Sequence, residues 1–538
     1  MDTTTPAHEG PAATDPELQE ARSASITADD VRRATRVLEA IAHDRTLLTK
    51  IDADERVALL VAAGRVSRPT RHEQIRTTKA FRKLARRRDQ ELDRDARAAT
   101  EIRAARRADV YVPPPRLVGA APAADPRELA TPRACYVCKA EFKKLHFFYD
   151  AMCPPCAELN YQKRFQTAPL GGRVALITGA RIKIGYQAAL MMLRAGARVI
   201  VTTRFPRDAA ERYAREADYA AWSDRLQIFG LDLRHSPSVE IFARYIDRTT
   251  DRLDILINNA AQTVRRPTGF YAHLVDLETR RFDDLPGAIQ PLLRSHEACK
   301  AALSVSGELP GGGVDDGARP LDATALVGWH GGGPGVGIRD AARLSQIPCT
   351  YDDVTSARDV FPPGETDADL QQIDLRTMNS WRMTLADVPA PEMLEVQLVN
   401  AVAPFILASK LKPLMMRRPT FDRHIVNVSA MEGQFARFTK TDKHPHTNMA
   451  KAALNMLTLT SAPDYAASGI FMNAVDTGWV TDEDPIVHAA RKQRVHDFQP
   501  PLDIVDGAAR ICDPFFSGLL TGVHVSGKFL KDYAPAPW

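Results

Sequence analysis

Two pairs of cysteines are the most chemically pointed feature of this sequence. Cys135 and Cys138 form one CxxC knuckle and Cys153 and Cys156 the other, with fourteen residues between them. Two such knuckles can set four thiolates tetrahedrally around Zn²⁺ at about 2.3 Å. The intervening stretch, with Phe142, Phe147, Phe148 and Tyr149, reads as a hairpin too small to fold without the metal. Four thiolates leave no open coordination position, so the expectation is a structural zinc. His146, between the knuckles, is expected at the surface or in packing, not as a fifth ligand. No βαβ pattern surrounds either knuckle, which disfavours a thioredoxin-like redox pair. The other cysteines, Cys299, Cys349 and Cys512, are scattered, and an odd count clustered in this way fits a reducing compartment better than a disulfide framework.

A second chemical signal follows at GRVALITGARIKIGYQAALMMLRAGARVIVTTR (172–204). VALIT is a short apolar strand, Ala188, Leu190, Met191 and Leu193 trace a helix that Gly196 stops, and RVIVTT is a second strand. In a right-handed βαβ unit the loop after the first strand faces the pyrophosphate of a dinucleotide.

The elements that must carry these sites can be laid out along the chain. At 538 residues it is too long for one core, and 26% charged with 44% hydrophobic residues is ordinary globular composition. A net charge of +4 does not imply a polyanionic partner for the whole molecule. Residues 1–24 are expected to be disordered, and 25–109 to form a helical extension opened by a Thr27–Asp30 capping box. From Arg65 to Arg88 there are ten Lys/Arg and one acid, Glu73. That run reads first as a solvated helix face, with an acidic protein partner or nucleic acid as the alternative. Phe81 is the one aromatic there, which disfavours a stacking platform for single strands, and nucleic acid is not the expected partner. Residues 110–134 read as a Pro/Ala linker, 135–156 as the zinc ribbon, and 172–538 as the main domain. The N-terminus carries no secretory pattern and no apolar run approaches a bilayer span, so no membrane role and a cytoplasmic location are expected.

TGARIKIG (178–185) resembles the glycine-rich loop of the short-chain dehydrogenase/reductase family. Thr178, Gly179, Ile184 and Gly185 fit that pattern, while Lys183 stands where the family has its middle glycine. Lys183 must bend away from a dinucleotide or set its ammonium against a phosphate. The resemblance continues in GLDLR (230–234), LDILINNAA (253–261) and NAVDTGWVTDE (473–483), and in a closing strand placed at VHVSG. It implies an α/β fold with a doubly wound parallel Rossmann sheet. It also implies that Asp232 and Leu233 flank an adenine, Asn259 and Ala260 line its ribose, and Thr477 and Gly478 hold the nicotinamide carboxamide. Thr203 and Arg204 replace the acid that selects NAD, and Arg204 with Arg181 could grip a 2′-phosphate, so NADP(H) is expected over NAD(H).

The catalytic positions of the resemblance are incomplete. Asn400 and Lys451 match the family's asparagine and lysine, but Ala430 stands at the serine position and Thr447 at the tyrosine position. Ser429, one residue early, should point to the opposite face of its strand. A threonine hydroxyl cannot replace a phenol whose pKa a neighbouring ammonium lowers. One reading is an oxidoreductase acting on an unknown carbonyl or alcohol, in which His446, His444 or a residue of an insertion supplies the proton. The other is a catalytically inactive NADPH sensor or scaffold. A third, nucleic-acid association through 65–88 and the ribbon, is weaker. Asn259 and Asn400 are 141 positions apart, so an insertion at about 265–390 is expected over the substrate mouth as a lid, a partner surface or a disordered loop. The family also implies homo-oligomers through the helices near 392–416 and 447–460, and a protein partner could engage the N-terminal region.

Overall fold

The computed structural model describes residues 26–114, 127–305, 333–348, 357–437 and 440–538. The expected disordered tail, the middle of the linker, most of the Gly-rich stretch and Cys349 lie outside the described residues. The chain divides into two compact units, Met1–Arg88 and Asp89–Trp538.

In the first unit Ala28–His43, Ala53–Ser67 and the start of Arg71–Ala98 are helical. Thr27 Oγ1 accepts the Asp30 N–H while an Asp30 carboxylate oxygen accepts the Thr27 N–H, closing the capping box read from the sequence. None of the described residues up to Arg88 is buried. The boundary of this unit falls inside the Arg71–Ala98 helix, so the span 25–109 is not one body. Asp93 belongs to the second unit because its carboxylate accepts the Ala130 and Thr131 N–H groups.

The second unit is built on an eight-stranded sheet. Its strands are β3 (Val174–Thr178), β4 (Arg198–Thr203), β5 (Leu226–Gly230), β6 (Ile255–Asn258), β7 (Arg423–Ser429), β8 (Ile470–Asp476), β9 (Phe529–Lys531) and β10 (Ala534–Ala536). They lie in the order β5-β4-β3-β6-β7-β8-β9-β10, parallel except for the last pair. Every residue of β3, β6 and β7 is buried, as a parallel strand covered on both faces requires. Two apolar cores fill those faces. Strand order reverses between β3 and β6, which opens a crevice at the carboxyl ends of the strands. The closing strand is Phe529–Lys531 and not VHVSG: residues 523–527 are irregular, and Asn473 Nδ2 holds them through the Val525 carbonyl at 2.7 Å.

The insertion divides between two tasks. Leu285, Ile289, Leu292 and Leu293 join the sheet core, and the helix Gln290–Val305 flanks the edge strand β5. There Gln227 Nε2 donates to Ser295 Oγ and the Gly230 N–H to His296 Nδ1. An exposed edge strand is thereby covered, so this half is neither lid nor loose loop. Its later half, including Gln371, Asp374 and Trp381, lines the crevice mouth.

The expected linker contains a strand, β1 (Glu128–Ala134), which pairs antiparallel with β2 (Glu141–Lys144) to form the cysteine ribbon. The ribbon and its following helix, Pro154–Arg164, are tied to the helix Ile504–Thr521 by buried charge. Arg164 meets Asp503 and Asp506 at 2.6 and 3.2 Å, and Arg510 Nη2 donates to Asn160 at 2.6 Å. The stretch Ala390–Met416 is, contrary to the sequence reading, long and apolar enough to cross a bilayer by length and composition. Much of that apolarity is a face packed on the helix Ser236–Thr249 and the sheet.

Candidate dinucleotide site and active site

The crevice is a cavity of about 1570 Å³ floored by the ends of β3, β4, β5, β6, β7 and β8. At its phosphate end the loop after β3 is locked by backbone-directed bonds. Thr178 Oγ1 accepts the N–H groups of Asn259 and Ala260 at 3.1 and 3.0 Å, and Asn259 Nδ2 donates to the carbonyls of Thr178 and Gly179. Gly185 begins the helix Lys183–Arg194 so close to this latch that an added Cβ would fall 2.3 Å from Asn259 Nδ2. Lys183 has φ 56°, the left-handed region where glycine is at ease. Its ammonium lies 3.6 Å from Asp369 of the insertion, and Lys183 lines the crevice.

At the adenosine end the two arginines differ. Arg181 Nη1 is paired to Asp208 at 2.6 Å. Arg204 donates to the Tyr271 hydroxyl at 2.7 Å, and among the described residues no carboxylate pairs with it. Tyr271 is buried, which should raise its phenol pKa, yet Arg204, Arg266 and Arg181 hold it below its ordinary value. Arg181 and Arg266 are themselves paired, with Asp208 and Asp374. Thr203 Oγ1 accepts the Phe205 N–H, and the Asp232 carboxylate is bound by Arg234, which also reaches Glu395. The Asp232 N–H donates to the Gly337 carbonyl of the insertion at 2.8 Å, and Leu233 lines the cavity.

At the far end Lys451, buried in the helix Pro445–Ala467, donates to the Val428 carbonyl at 2.8 Å. Burial lowers its ammonium to about 8 against the pull of Glu432 and Asp476. Ala430 lines the cavity, and Ser429 Oγ turns to Asn455 at 2.6 Å. Asn400 occupies a π-helical turn, Leu398–Val402, a device that redirects a helix at functional sites. Its Nδ2 donates to the carbonyls of Val396 and Gln262, so it braces the wall from behind.

Two of the proposed catalytic side chains are elsewhere than the sequence suggested. Thr447 is buried off the cavity with Oγ1 directed to the Thr263 carbonyl at 3.3 Å. His446 is 1% exposed and also off the cavity. Burial and the neighbouring His444 lower its pKa to about 4, so at neutral pH it has no proton to give. His444 itself lines the crevice. It caps the helix with φ 43° and stacks on Trp381 at 3.9 Å. Its Nδ1 lies 2.9 Å from the Trp381 carbonyl, so Nδ1 carries the proton and Nε2 is left for another partner.

The four cysteine sulfurs lie within 4.8 Å of one another, with Cys138 and Cys153 at 3.6 Å. A tetrahedral site with bonds of about 2.3 Å has sulfur–sulfur edges of about 3.8 Å, so the set fits a soft tetrahedral metal. Burial would raise the Cys135 thiol, but the backbone N–H groups of Cys153, Cys138 and Val137 hold it at about 7. His146 takes no part: Nδ1 accepts the Phe148 N–H and Nε2 faces Glu158.

A family model for short chain dehydrogenases matches residues 173–277, and one for enoyl-(acyl carrier protein) reductases matches 375–497. Both segments are thus similar to the short-chain dehydrogenase/reductase family. They overlap the two ends of the insertion and hold the glycine loop and Lys451 respectively. Uncharacterized protein R665 of Acanthamoeba polyphaga mimivirus is 29% identical over 400 residues, covering 71% of each chain. Bovine dehydrogenase/reductase SDR family member 13 is 37% identical over 116 residues, 22% of this chain and 28% of that one. The Pseudomonas aeruginosa RhlG/NADP complex superposes with a TM-score of 0.39 at 16% identity, covering 68% of this chain and 95% of that one, and no inference rests on so loose a likeness.

Sequence reasoning missed the residues that the insertion and the ribbon bring to the crevice. Tyr271, Trp381 and Tyr136 all line it. No spacing relation ties them to a family motif, and only the YxxxK helix start hinted that His444 stood near.

Proposed function

We propose that this chain is an NADP(H)-dependent oxidoreductase that interconverts a carbonyl and an alcohol through a non-standard active site. The observation that carries this reading is Arg204, a guanidinium with no carboxylate partner among the described residues, beside a tyrosine held in a positive field. A 2′-phosphate supplies the missing counter-charge, and charge-assisted bonds of this kind are the strong ones. When bound, the nicotinamide would supply the hydride. Lys451 would hold the adjoining ribose, Thr477 and Gly478 the carboxamide, and the latched loop from Thr178 to Gly185 the pyrophosphate. Reduction of a carbonyl also needs a proton at its oxygen, and His444, which lines the crevice, is the side chain we assign to supply it: when Nε2 carries a second proton it would give that proton to the oxygen and regain one from water.

A second reading, an NADPH sensor or scaffold without turnover, is favoured by Ala430 and by Thr447 lying off the cavity. We further propose that the four cysteines hold a structural Zn²⁺. Self-association through the long helices is supported by Phe405, Met449 and Met456, each more than half exposed.

Fluorescence titration with NADPH and NADH in parallel tests the cofactor. Wild type should bind NADPH more tightly, and Arg204→Ala should weaken NADPH about 10- to 100-fold with little effect on NADH. Equal loss of both nucleotides would remove Arg204 from the 2′-phosphate site.

A further inference from the structure

The cysteine knuckle meets the dinucleotide crevice at Tyr136 and Lys139. Tyr136, between Cys135 and Cys138, lines the crevice, and its hydroxyl accepts the Trp479 N–H at 2.9 Å. The same hydroxyl lies 3.2 Å from where a Cβ on Gly478 would fall. Gly478 in turn donates its N–H to Asp476 at 2.9 Å, and Asp476 is paired with Lys531 at 3.0 Å. Lys531 Nζ stands 5.8 Å from the centre of the Tyr136 ring. Val137 and Cys156 pack in one apolar cluster with Val480, Leu502 and Ile184, so the knuckles also abut the glycine loop.

What holds Tyr136 is the knuckle itself. Its N–H donates to the Ala151 carbonyl at 2.9 Å, two residues before Cys153. The turn is closed by the Lys139 N–H on the Cys135 carbonyl at 3.1 Å, with Lys139 Nζ on the Tyr136 carbonyl. That turn contains both Cys135 and Cys138. A metal that draws four sulfurs to one centre fixes this loop, and its loss frees them to separate.

We propose that Tyr136 is a positioning residue of the dinucleotide site, through which metal at the four cysteines sets dinucleotide affinity. The inference rests on the reading of the crevice as a dinucleotide site. Coupling between two affinities is reciprocal, so dinucleotide must also tighten metal binding.

The full-length chain is titrated with NADPH, zinc-loaded and after chelation, and its zinc affinity is measured by competition with a chromogenic chelator with and without saturating NADPH. Chelation should weaken NADPH about ten-fold, the size usual for coupled sites, and NADPH should tighten zinc by the same factor. Tyr136→Phe keeps the four thiols and the ring, so its zinc content should be unchanged. Loaded with zinc, it should bind NADPH as weakly as chelated wild type, and NADPH should no longer tighten its zinc. Zinc affinity indifferent to NADPH in a wild-type chain that binds NADPH overturns the inference alone. So does an unaltered NADPH affinity in zinc-loaded Tyr136→Phe. Failure of zinc-loaded wild type to bind NADPH overturns the functional reading and this inference together. The Tyr136→Phe titration uses metal-loaded chain, so unfolding of the chelated form would not shield the proposal.

Discussion

The two ends of the crevice are made from the same row of strand ends, yet they are held in different ways. At the phosphate end the contacts run to backbone: Thr178 receives two N–H groups, Asn259 reaches two carbonyls, and Gly185 leaves no room for a Cβ. At the chemical end the roles belong to side-chain tips. Ala430 and Thr447 occupy family positions without altering the strand or helix that carries them. A site locked by sterics resists substitution because the fold fails with it. A site made of functional groups can lose its chemistry while the frame stays intact.

The sharpest way to break that contrast is at Gly185. Gly185→Ala puts a methyl 2.3 Å from Asn259 Nδ2 and 2.6 Å from the Gly179 carbonyl. NADPH binding should be lost, and overpacking should cost about 1–3 kcal/mol, read by thermal denaturation beside the titration. Unimpaired binding would show that the latch is softer than the contacts imply.

Next in size is the proton. If the chain turns over a carbonyl substrate, His444→Ala should lower kcat about 10²- to 10⁴-fold while leaving NADPH affinity near wild type. His446→Gln, off the cavity, should change kcat little. The reverse pattern would restore His446 to the site.

These two residues also mark what could be read from sequence. Five short segments in order gave the doubly wound sheet and the glycine loop, because backbone-constrained motifs keep their spacing. The Cys135–Cys156 knuckles were legible for the same reason, and all four sulfurs converge. The YxxxK spacing located Lys451 but misjudged its neighbours. A match of position does not say whether a short side chain such as Thr447 reaches the cavity, or whether His446 is buried. The closing strand was set too early because VHVSG alternates like a strand, although its Asn473 contact holds it as irregular chain. Tyr271, Trp381 and Tyr136 arrive from elements distant in sequence, and only tertiary structure brings them in.

Lys451 supplies a test of intermediate size, in which affinity and stability move in opposite directions. Its buried ammonium has a pKa near 8, below the unfolded value of about 10.4. If the charged form holds the ribose, NADPH affinity should fall about ten-fold as pH rises from 7 to 9. Stability should instead rise over that range, because the unfolded chain binds the extra proton above pH 8 and the cost of a buried charge is relieved. Lys451→Met should bind weakly with a flat profile. Parallel trends in affinity and stability would mean that folding, not the ribose contact, sets the pH dependence.

The smallest expected effect bears most directly on whether chemistry survives here at all. Ala430 is extended, with φ −163° and ψ 166°, and lines the cavity; Ser429 borders it too, but its hydroxyl is taken by Asn455. Side chains alternate along such backbone, so Ala430→Ser places a hydroxyl in the crevice without displacing anything packed. NADPH affinity should stay within about two-fold, since the added group lies beyond the ribose contact. An oxidoreductase whose site lacks an oxyanion donor should gain up to about ten-fold in kcat from it, because one hydrogen bond to a developing charge is worth roughly 1.5 kcal/mol or more. A sensor should show no turnover before or after. Turnover that falls on adding the serine would mean that substrate occupies the space beside Ala430, and that the small side chain there shapes specificity.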